Sequence, residues 1–476
     1  MWVIQYSEGM RRTPEITLPL RVQLGAGSLP EQLANQLREL ISAQVLAPGD
    51  PVPSSRALAD HLGVSRGSVT AAYDQLLAEG YLSASAGRST IVNPLLRRVH
   101  PPALASIRPV DPEPALGLDL RPGRPWTAEL VGPAWKAAWR RAANAPADTA
   151  SPTLGLPELR LEWAEHLRRM RAVVRDPAQI AVTAGGREGL ALTLLALGAT
   201  TGLRFGVEDP GYPSLRRVPE RFGASVMPLP VDEHGLVTSA LPTGPDAPEV
   251  LLVTPSHQYP LGGSLPIDRR QELLEWAHAN QVVIIEDDYD SELRYTSSPL
   301  PALAALDDPA SGRVVLLGTL SKTLTPALAT GFLALPEWLV PAVAEVRADL
   351  GQPLGLVAQR AMAEYLRSGA LRLHTQRMRQ RYRRLRTQVV AALRDRPGLR
   401  VYPMDGGLHA VVETIRDEDA VVAELAAEGV QVSPLSQYWS SSTKHRGIVF
   451  GFGAAPEAEM AAGLALIAQV AGRMES

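Results

Sequence analysis

The sequence contains no cysteine and only three lysines, at Lys136, Lys322 and Lys444. The absence of cysteine excludes disulfide bonds, thiolate metal sites and cysteine nucleophiles. No apolar run approaches the roughly 18–20 residues that a membrane span requires, and the N-terminal stretch MWVIQYSEGMRR lacks a signal-peptide pattern. We therefore expect a soluble, cytoplasmic protein without a metal site.

Length and charge set further bounds. At 476 residues, with 45% hydrophobic residues, the chain is long enough for two or three domains with sizeable cores. The net charge of −3 gives no global attraction to nucleic acid. Any contact with DNA must therefore come from a local basic patch.

The first hundred residues carry a distinct pattern of helices and turns. LPEQLANQLRELISAQ (29–44) has apolar residues at helical spacing, and Ser54-Ser55 can cap a short helix, RALADHL, that stops at Gly63. SRGSVTAAYDQLLAEG (65–80) predicts a longer helix with a serine N-cap and a terminal glycine. YLSASAGRSTIV (81–92) alternates around a glycine and predicts a hairpin.

Helix, turn, helix and hairpin in this order outline a winged helix-turn-helix. The helix start at residue 65 would offer phosphates free N–H groups and the positive end of a helix dipole. Arginine and hydroxyl side chains at the helices and the hairpin tip could contact DNA; they are Arg56, Ser65, Arg66, Ser68, Thr70 and Arg88. A small helical bundle with solvated arginines is the alternative that the outline alone leaves open.

A proline-rich segment separates this region from the rest. Residues 93–117 hold six prolines and no periodic apolar pattern, which predicts a semi-extended linker. Beyond it, helices alternate with the apolar runs IAVTA, VLLVTP, VVIIEDD and RVVLLG. This alternation predicts a mostly parallel α/β sheet over 118–350. The helix-rich remainder, 351–476, is expected to form a smaller α+β domain.

Lys322 lies in TLSKTLTP, just after an apolar run. By chemistry alone it could form a Schiff base, clamp a phosphate or be a surface cation. The other candidate residues in the sequence favour the first role, a Schiff base. Asp287 follows the apolar strand of IIEDDYDSE, where a carboxylate could pair with a protonated pyridine nitrogen. Tyr212 in EDPGYP offers a flat face for stacking, and the turn VTAGGREGL (182–190) could cradle phosphate. Taken singly, the glycine-containing stretch could be a tight turn, Tyr212 a core tyrosine and the acidic run a solvated strand end. Together these groups describe a site for pyridoxal 5′-phosphate.

Two resemblances extend this interpretation. PGDPVPSSRALADHLGVSRGSVTAAYDQLLAEGYLSASAGRSTIV resembles the DNA-binding domain of GntR-type regulators, over roughly 18–92. Residues 118–476 resemble fold-type I aminotransferases, and GRP, GLPELR, TPSHQYPLGG, EDDYDSELRY and SKTLTP look like the MocR/GabR-type regulators. The resemblance implies a double-stranded operator DNA, a homodimer, and a domain that responds to pyridoxal phosphate or to an amine or amino-acid effector.

The resemblance also implies individual roles. Lys322 would form the Schiff base, Asp287 would hold the pyridinium nitrogen, Tyr289 would bond the ring's 3′-oxygen, and Tyr212 would stack on the ring. The remaining pocket residues would be the phosphate-binding backbone of Gly185, Gly186 and Arg187, together with Ser321 and His257.

Three positions depart from the aminotransferase pattern. The arginine seven residues after the Schiff-base lysine is Ala329 here, a tyrosine from the neighbouring subunit would fall near Thr149, and the carboxylate arginine would fall near Val449, with Arg446 slightly upstream. We hypothesise that Arg187 replaces the guanidinium missing at Ala329.

Besides a regulator that senses the cofactor or an amine, the sequence leaves two functions open. One is a working aminotransferase with an appended DNA-binding domain, and the other is a cofactor-free dimerisation scaffold.

The arginine-rich stretch LRLHTQRMRQRYRRLR (371–386) has two interpretations. It could form a second DNA-binding surface. Because leucine and aromatic positions recur at helical spacing, the favoured interpretation is the charged face of a packed helix.

Overall fold

The computed structural model describes residues 18–23, 27–85, 89–96, 117–198, 201–295, 300–440 and 445–473. The chain divides into two compact units, Met1–Glu113 and Pro114–Ser476, each of which is described by itself. Within the described ranges, no helix is long and apolar enough to cross a membrane. The predicted linker at 93–117 lies almost wholly outside the described residues.

The N-terminal unit has the predicted helix-turn-helix and hairpin. Its elements are α1 (Leu29–Ser42), α2 (Ser55–Leu62), α3 (Arg66–Ala78), β1 (Leu82–Ser83) and β2 (Ile91–Val92). Gly63 ends α2 with a φ of +65°, a conformation that suits glycine. The two short strands pair antiparallel, and apolar faces of all three helices share one core.

The C-terminal unit is a layered α/β structure. In the described residues its helices are α4 (Pro133–Ala143), α5 (Pro157–Arg171), α6 (Gly186–Ala196), α7 (Pro213–Arg221), α8 (Ile267–Ala279), α9 (Leu303–Leu306), α10 (Val340–Leu350), α11 (Leu356–Arg367), α12 (Ala370–Leu393), α13 (Glu418–Ala427) and α14 (Glu457–Ala471). Its strands are β3 (Leu118–Asp119), β4 (Ile180–Thr183), β5 (Arg204–Asp209), β6 (Ser225–Asp232), β7 (Gly235–Leu236), β8 (Val250–Val253), β9 (Val283–Asp288), β10 (Val314–Thr319), β11 (Gly331–Ala334), β12 (Leu399–Val401), β13 (His409–Thr414), β14 (Val430–Gln431), β15 (Ser433–Pro434) and β16 (Gly447–Gly451).

A large mixed sheet forms the centre of this unit. Its strand order is β4-β11-β10-β9-β8-β5-β6-β7. The strands from β10 to β6 run parallel, while β11 is antiparallel to both of its neighbours. Apolar clusters cover both faces of the sheet, which explains why its strands have continuous apolar sequences. The carboxyl ends of β5, β9 and β10 therefore meet at one edge.

A smaller sheet, ordered β12-β13-β16-β15, packs with α12, α13 and α14 in a second core. The two layers do not follow the boundary that we expected at residue 350. A segment from before it belongs to the smaller layer, and a helix from after it packs in the larger one. Near the start of the unit, β3 pairs with β14, so the chain after the linker joins the smaller layer. After residue 350, several side chains of α11 belong to the core of the larger layer, because its buried face packs against that layer.

Candidate cofactor site and DNA-binding surface

The candidate DNA-binding side chains lie on α2 and at the start of α3. Arg56, Ser65, Arg66 and Thr70 are exposed, and Ser68 is half-buried. Ser65 is the N-cap of α3: its Oγ accepts a hydrogen bond of 3.1 Å from the Ser68 backbone N–H and lies 2.9 Å from Ser68 Oγ. This cap fixes the direction in which α3 leaves the turn. Arg88, which we predicted at the hairpin tip, lies outside the described residues.

The candidate cofactor residues meet in a cavity of about 270 Å³ at the carboxyl edge of the large sheet. Eight of the predicted residues line it: Tyr212, Gly185, Gly186, Arg187, Asp287, Tyr289, Ser321 and Lys322. They come from α6, the β5–α7 turn, the end of β9 and the turn after β10. The parallel order of β5, β8, β9 and β10 brings these distant segments to one place.

The amine of Lys322 lies inside this cavity. Its Nζ donates a hydrogen bond of 3.0 Å to the carbonyl oxygen of Gly123. Burial lowers the pKa of Lys322, an effect that the carboxylates of Asp290 and Asp287 oppose. A lowered pKa increases the share of neutral amine, which is the nucleophilic form of lysine.

Asp287 is the penultimate residue of β9 and lines the cavity. Burial raises the pKa of this carboxyl to about 8, and the neighbouring charges of Asp288 and Asp290 add to the rise. Within the described part of the chain, no residue donates a hydrogen bond to the Asp287 side chain, and its solvent exposure is 6%. A buried acceptor without a donor is costly, so this group is suited to a cationic or N–H-bearing ligand.

His257 is buried and contacts Tyr289, which lines the cavity. Its Nδ1 is 2.8 Å from Asp290 Oδ2 and 2.8 Å from the Tyr289 hydroxyl oxygen. Because the carboxylate can only accept, Nδ1 carries the hydrogen, and the Tyr289 hydroxyl donates to the His257 carbonyl oxygen at 3.0 Å. His257 is thus placed by the structure beside Tyr289 and not among the residues that line the cavity.

The helix α6 begins at the opposite side of the cavity. Gly185 is its N-cap, with a φ of +85°, and the N–H groups of the first turn are available for an anion. Ser321 continues this polar surface: its Oγ lies 2.8 Å from Thr319 Oγ1. Arg187 also lines this part of the cavity, as does Ala329, which has a φ of +47°.

The two positions considered for a carboxylate arginine lie on β16 or directly before it. Val449 is buried on β16 in an apolar cluster with Tyr259 and Tyr438. Arg446 is exposed and forms an ion pair of 3.3 Å with Asp417. Neither residue lines the cavity.

Several lining residues had no individual role assigned from the sequence, among them Gly123, Arg124 and Tyr259. Gly123 and Arg124 belong to the GRP stretch, whose resemblance to regulators was the only available signal. Tyr259 belongs to TPSHQYPLGG, another of the stretches that resemble regulators. It stands edge-on to Tyr212 and to Tyr289, with ring centroids 5.2 Å and 5.7 Å apart.

The arginine-rich helix α12 is held mainly by contacts within the C-terminal unit. Arg381 donates to the Ala455 carbonyl oxygen and stacks its guanidinium 4.0 Å from the centroid of the Trp126 ring. Arg379 donates to the Glu292 carbonyl oxygen, and Arg384 pairs with Glu457 at 3.0 Å. These contacts support the interpretation as a packed helix.

Comparison with known families and structures agrees with this architecture. Residues 29–92 match the gntR family of bacterial regulatory proteins, and residues 125–446 match aminotransferase class I and II. An archaeal alanine:glyoxylate aminotransferase superposes with a TM-score of 0.69 at 23% identity, over 75% of this chain and 90% of that chain. At that identity the likeness concerns the fold alone.

Two curated relatives share both parts of the chain. The HTH-type pyridoxine biosynthesis transcriptional regulator PdxR of Corynebacterium glutamicum is 50% identical, over 90% of this chain and 93% of its own length. The probable rhizopine catabolism regulatory protein MocR of Rhizobium meliloti is 32% identical, over 88% and 89%. The chain therefore belongs to the MocR-type transcription regulators, in which a GntR-family helix-turn-helix domain is joined to an aminotransferase class I and II domain.

Proposed function

We propose that this regulator binds pyridoxal 5′-phosphate at Lys322 and that cofactor occupancy changes its affinity for operator DNA. The aminotransferase class of the C-terminal domain implies this cofactor. The observation that carries the proposal is the cavity that joins the half-buried Lys322, the Asp287 carboxyl and the N-terminus of α6. These are the groups that an aldehyde, a pyridine nitrogen and a phosphate require.

The charges of Asp287 and Lys322 also suit the cofactor. A pyridinium nitrogen would supply the hydrogen-bond donor that Asp287 lacks among the described residues, and its positive charge would favour the ionised carboxylate. When bound, the cofactor supplies an aldehyde that bonds to primary amines and a ring that withdraws electrons. Lys322 is the amine in the cavity, and its lowered pKa favours the form that bonds to an aldehyde.

Other residues would orient the ring and hold the phosphate. Tyr212, which is 37% exposed, offers its face at the mouth of the cavity. Tyr289 donates its hydroxyl hydrogen to the His257 carbonyl oxygen, so bonding the ring oxygen requires it to exchange that partner. The backbone N–H groups of Gly186 and Arg187, with Ser321, would bind the phosphate.

For the N-terminal unit we propose recognition of double-stranded DNA by α3, through Arg66, Ser68 and Thr70. Arg56 and the capping Ser65 would contact the phosphate backbone of the DNA and so orient the domain on the duplex. A homodimer in the cytoplasm would present two such readers to a two-fold operator. Because the PdxR relative is named as a regulator of pyridoxine biosynthesis, we propose genes of that process as the regulated set.

Regulation requires that the cofactor bind one DNA-binding state more tightly than another. A cofactor that binds both states equally leaves the equilibrium between them unchanged. The coupling is also reciprocal. If the cofactor changes DNA affinity by some factor, DNA changes cofactor affinity by the same factor. Typical coupling free energies of roughly 1–3 kcal/mol correspond to about 5–150-fold changes in affinity.

The test is DNA binding by the full chain with and without pyridoxal 5′-phosphate, using duplexes from upstream of pyridoxine-biosynthesis genes. We expect the cofactor to change the wild-type dissociation constant at least about fivefold. Lys322→Ala should abolish the response. Lys136→Ala, which removes an exposed lysine of α4, is the matched control and should respond as the wild type does. A full response in Lys322→Ala would contradict the proposal.

A further inference from the structure

The segment that follows the linker crosses the end of β16 and supplies one wall of the cofactor cavity. β3 pairs with β14, and the Gly451 N–H donates a hydrogen bond of 2.6 Å to the Leu120 carbonyl oxygen. A β-carbon at Gly451 would lie 3.0 Å from Pro122 Cα, and one at Gly453 would lie 2.5 Å from the Arg124 carbonyl oxygen. The two glycines therefore allow this segment to lie flat against the end of β16.

This packing brings a guanidinium to the cavity beside the reactive amine. Gly123 accepts the hydrogen bond from Lys322 Nζ, and Arg124, the next residue, lines the same cavity. Val449, the position at which we sought a carboxylate arginine, lies on β16 itself. The segment that crosses the end of β16 thus supplies an arginine, Arg124, whereas β16 itself has Val449 at the position where we expected one.

Arg124 has hydrogen-bonding capacity to spare. Its single carboxylate partner among the described residues is Asp119, which it meets through Nη1 alone. Arg121 already binds that carboxylate through both of its oxygens, at 3.0 Å and 2.7 Å. One carboxylate therefore serves two guanidinium groups, which leaves most of the N–H donors of Arg124 without a carboxylate partner among the described residues. A guanidinium has five N–H donors in a fixed plane, suited to bind a second carboxylate.

We propose that Arg124 binds the carboxylate of an amino-acid effector, which gives the regulator a second input besides the cofactor itself. The inference rests on the proposed cofactor at Lys322. The amine of the effector would then exchange with Lys322: a carbon–nitrogen double bond forms to the effector nitrogen as the one to Lys322 breaks. The effector ammonium loses its proton and the Lys322 amine is released, so no oxidant or reductant is needed.

The test compares amines with and without a carboxylate on the full chain loaded with pyridoxal 5′-phosphate. L-Alanine is paired with ethylamine, and 4-aminobutyrate with propylamine, so that each pair differs only in the carboxylate. The readout is the concentration that gives half of the change in cofactor absorbance. In the wild type we expect at least one acid to act at about tenfold lower concentration than its neutral partner.

Three variants locate the source of that preference. Arg124→Gln should reduce this preference, measured as the ratio of the two concentrations, about tenfold, and Arg124→Lys should keep part of it because the charge remains. Arg446→Gln is the control, since that residue pairs with Asp417 away from the cavity. An unchanged preference in Arg124→Gln, or its loss in Arg446→Gln, overturns the inference.

The same experiment separates this inference from the proposed function. If the wild type takes up the cofactor but neither acid is preferred over its neutral partner, Arg124 does not bind an effector carboxylate and the cofactor site stands. If the wild type takes up no cofactor, the proposed function itself fails, and this inference fails with it.

Discussion

The Nζ of Lys322 donates a hydrogen bond to the carbonyl oxygen of Gly123, a residue 199 positions earlier in the chain. Gly123 has a φ of +98°, and a β-carbon there would lie 2.8 Å from Nζ. The backbone conformation therefore favours glycine, and a β-carbon at this position would displace the Lys322 amine. This contact joins the segment after the linker to the reactive end of the cavity.

We expect Gly123→Ala to lower the affinity for pyridoxal 5′-phosphate at least about tenfold. The added methyl group would displace the amine, and the left-handed backbone costs an L-residue roughly 1 kcal/mol or more. Equilibrium dialysis measures the effect. Gly355→Ala is the matched control, since Gly355 has a φ of −58° and open space around its α-carbon. Equal affinities for the two variants would show that the close approach at Gly123 is unimportant.

Asp287→Asn should stabilise the cofactor-free chain more at pH 8 than at pH 5. Burial raises the pKa of Asp287 to about 8 in the folded state, whereas an aspartate in an unfolded chain has a pKa of about 3.9. Between these values the folded state binds more protons than the unfolded state, so stability falls as the pH rises. The asparagine does not titrate and avoids this loss.

Calorimetric melting temperatures at both pH values measure the difference. Asp395→Asn, at an exposed position, is the control and should track the wild type. The same Asp287→Asn chain should bind pyridoxal 5′-phosphate more weakly, because it lacks the charge that pairs with a pyridinium nitrogen. Melting temperatures that change in parallel for Asp287→Asn and the wild type would contradict the assignment.

Arg187 should carry the phosphate contact that Ala329 cannot make. Removing a charge-assisted contact costs roughly 1.5–3 kcal/mol, so Arg187→Ala should weaken cofactor binding about tenfold to a hundredfold. Adding Ala329→Arg to that variant should restore part of the affinity, because residue 329 lines the same cavity. Dialysis of the single and double variants measures both effects. Unchanged affinity in Arg187→Ala would exclude the replacement.

Ser65→Ala should destabilise α3 by about 1 kcal/mol, because it removes the hydrogen bond to the Ser68 N–H. Faster hydrogen exchange of the α3 amides in the full chain measures this loss. Ser28→Ala is the control: Ser28 is the N-cap residue of α1 but makes no side-chain capping bond. Its replacement should leave exchange in α1 close to that of the wild type. Similar effects of the two substitutions would argue against a special role for the Ser65 cap.

The sequence was most informative where local chemistry decides the structure. The Ser65 cap and the Gly63 stop were predicted because each depends on residues a few positions away. The strand-end position of Asp287 follows from the apolar run before it, and the alternation of strands and helices predicts one shared sheet edge. The roles assigned to the individual residues there came from family resemblance.

The parts that sequence reasoning missed depend on pairing between distant segments. Nothing near Leu118 indicates that β3 pairs with β14, more than 300 residues later. Gly123 and Arg124 reach the cavity through the packing of that segment, so apart from the resemblance of GRP to regulators no local pattern could reveal them. Likewise, Arg446 lies just before the expected position in sequence, but it is exposed, pairs with Asp417 and does not line the cavity.

The most direct test of the central claim is borohydride reduction of the purified chain after incubation with pyridoxal 5′-phosphate, followed by peptide mass mapping. The reduction makes a carbon–nitrogen double bond permanent and marks the lysine that formed it. The account predicts a pyridoxyl group on Lys322 and none on Lys136 or Lys444. A chain that remains unmodified, or that carries the group on another lysine, would contradict it.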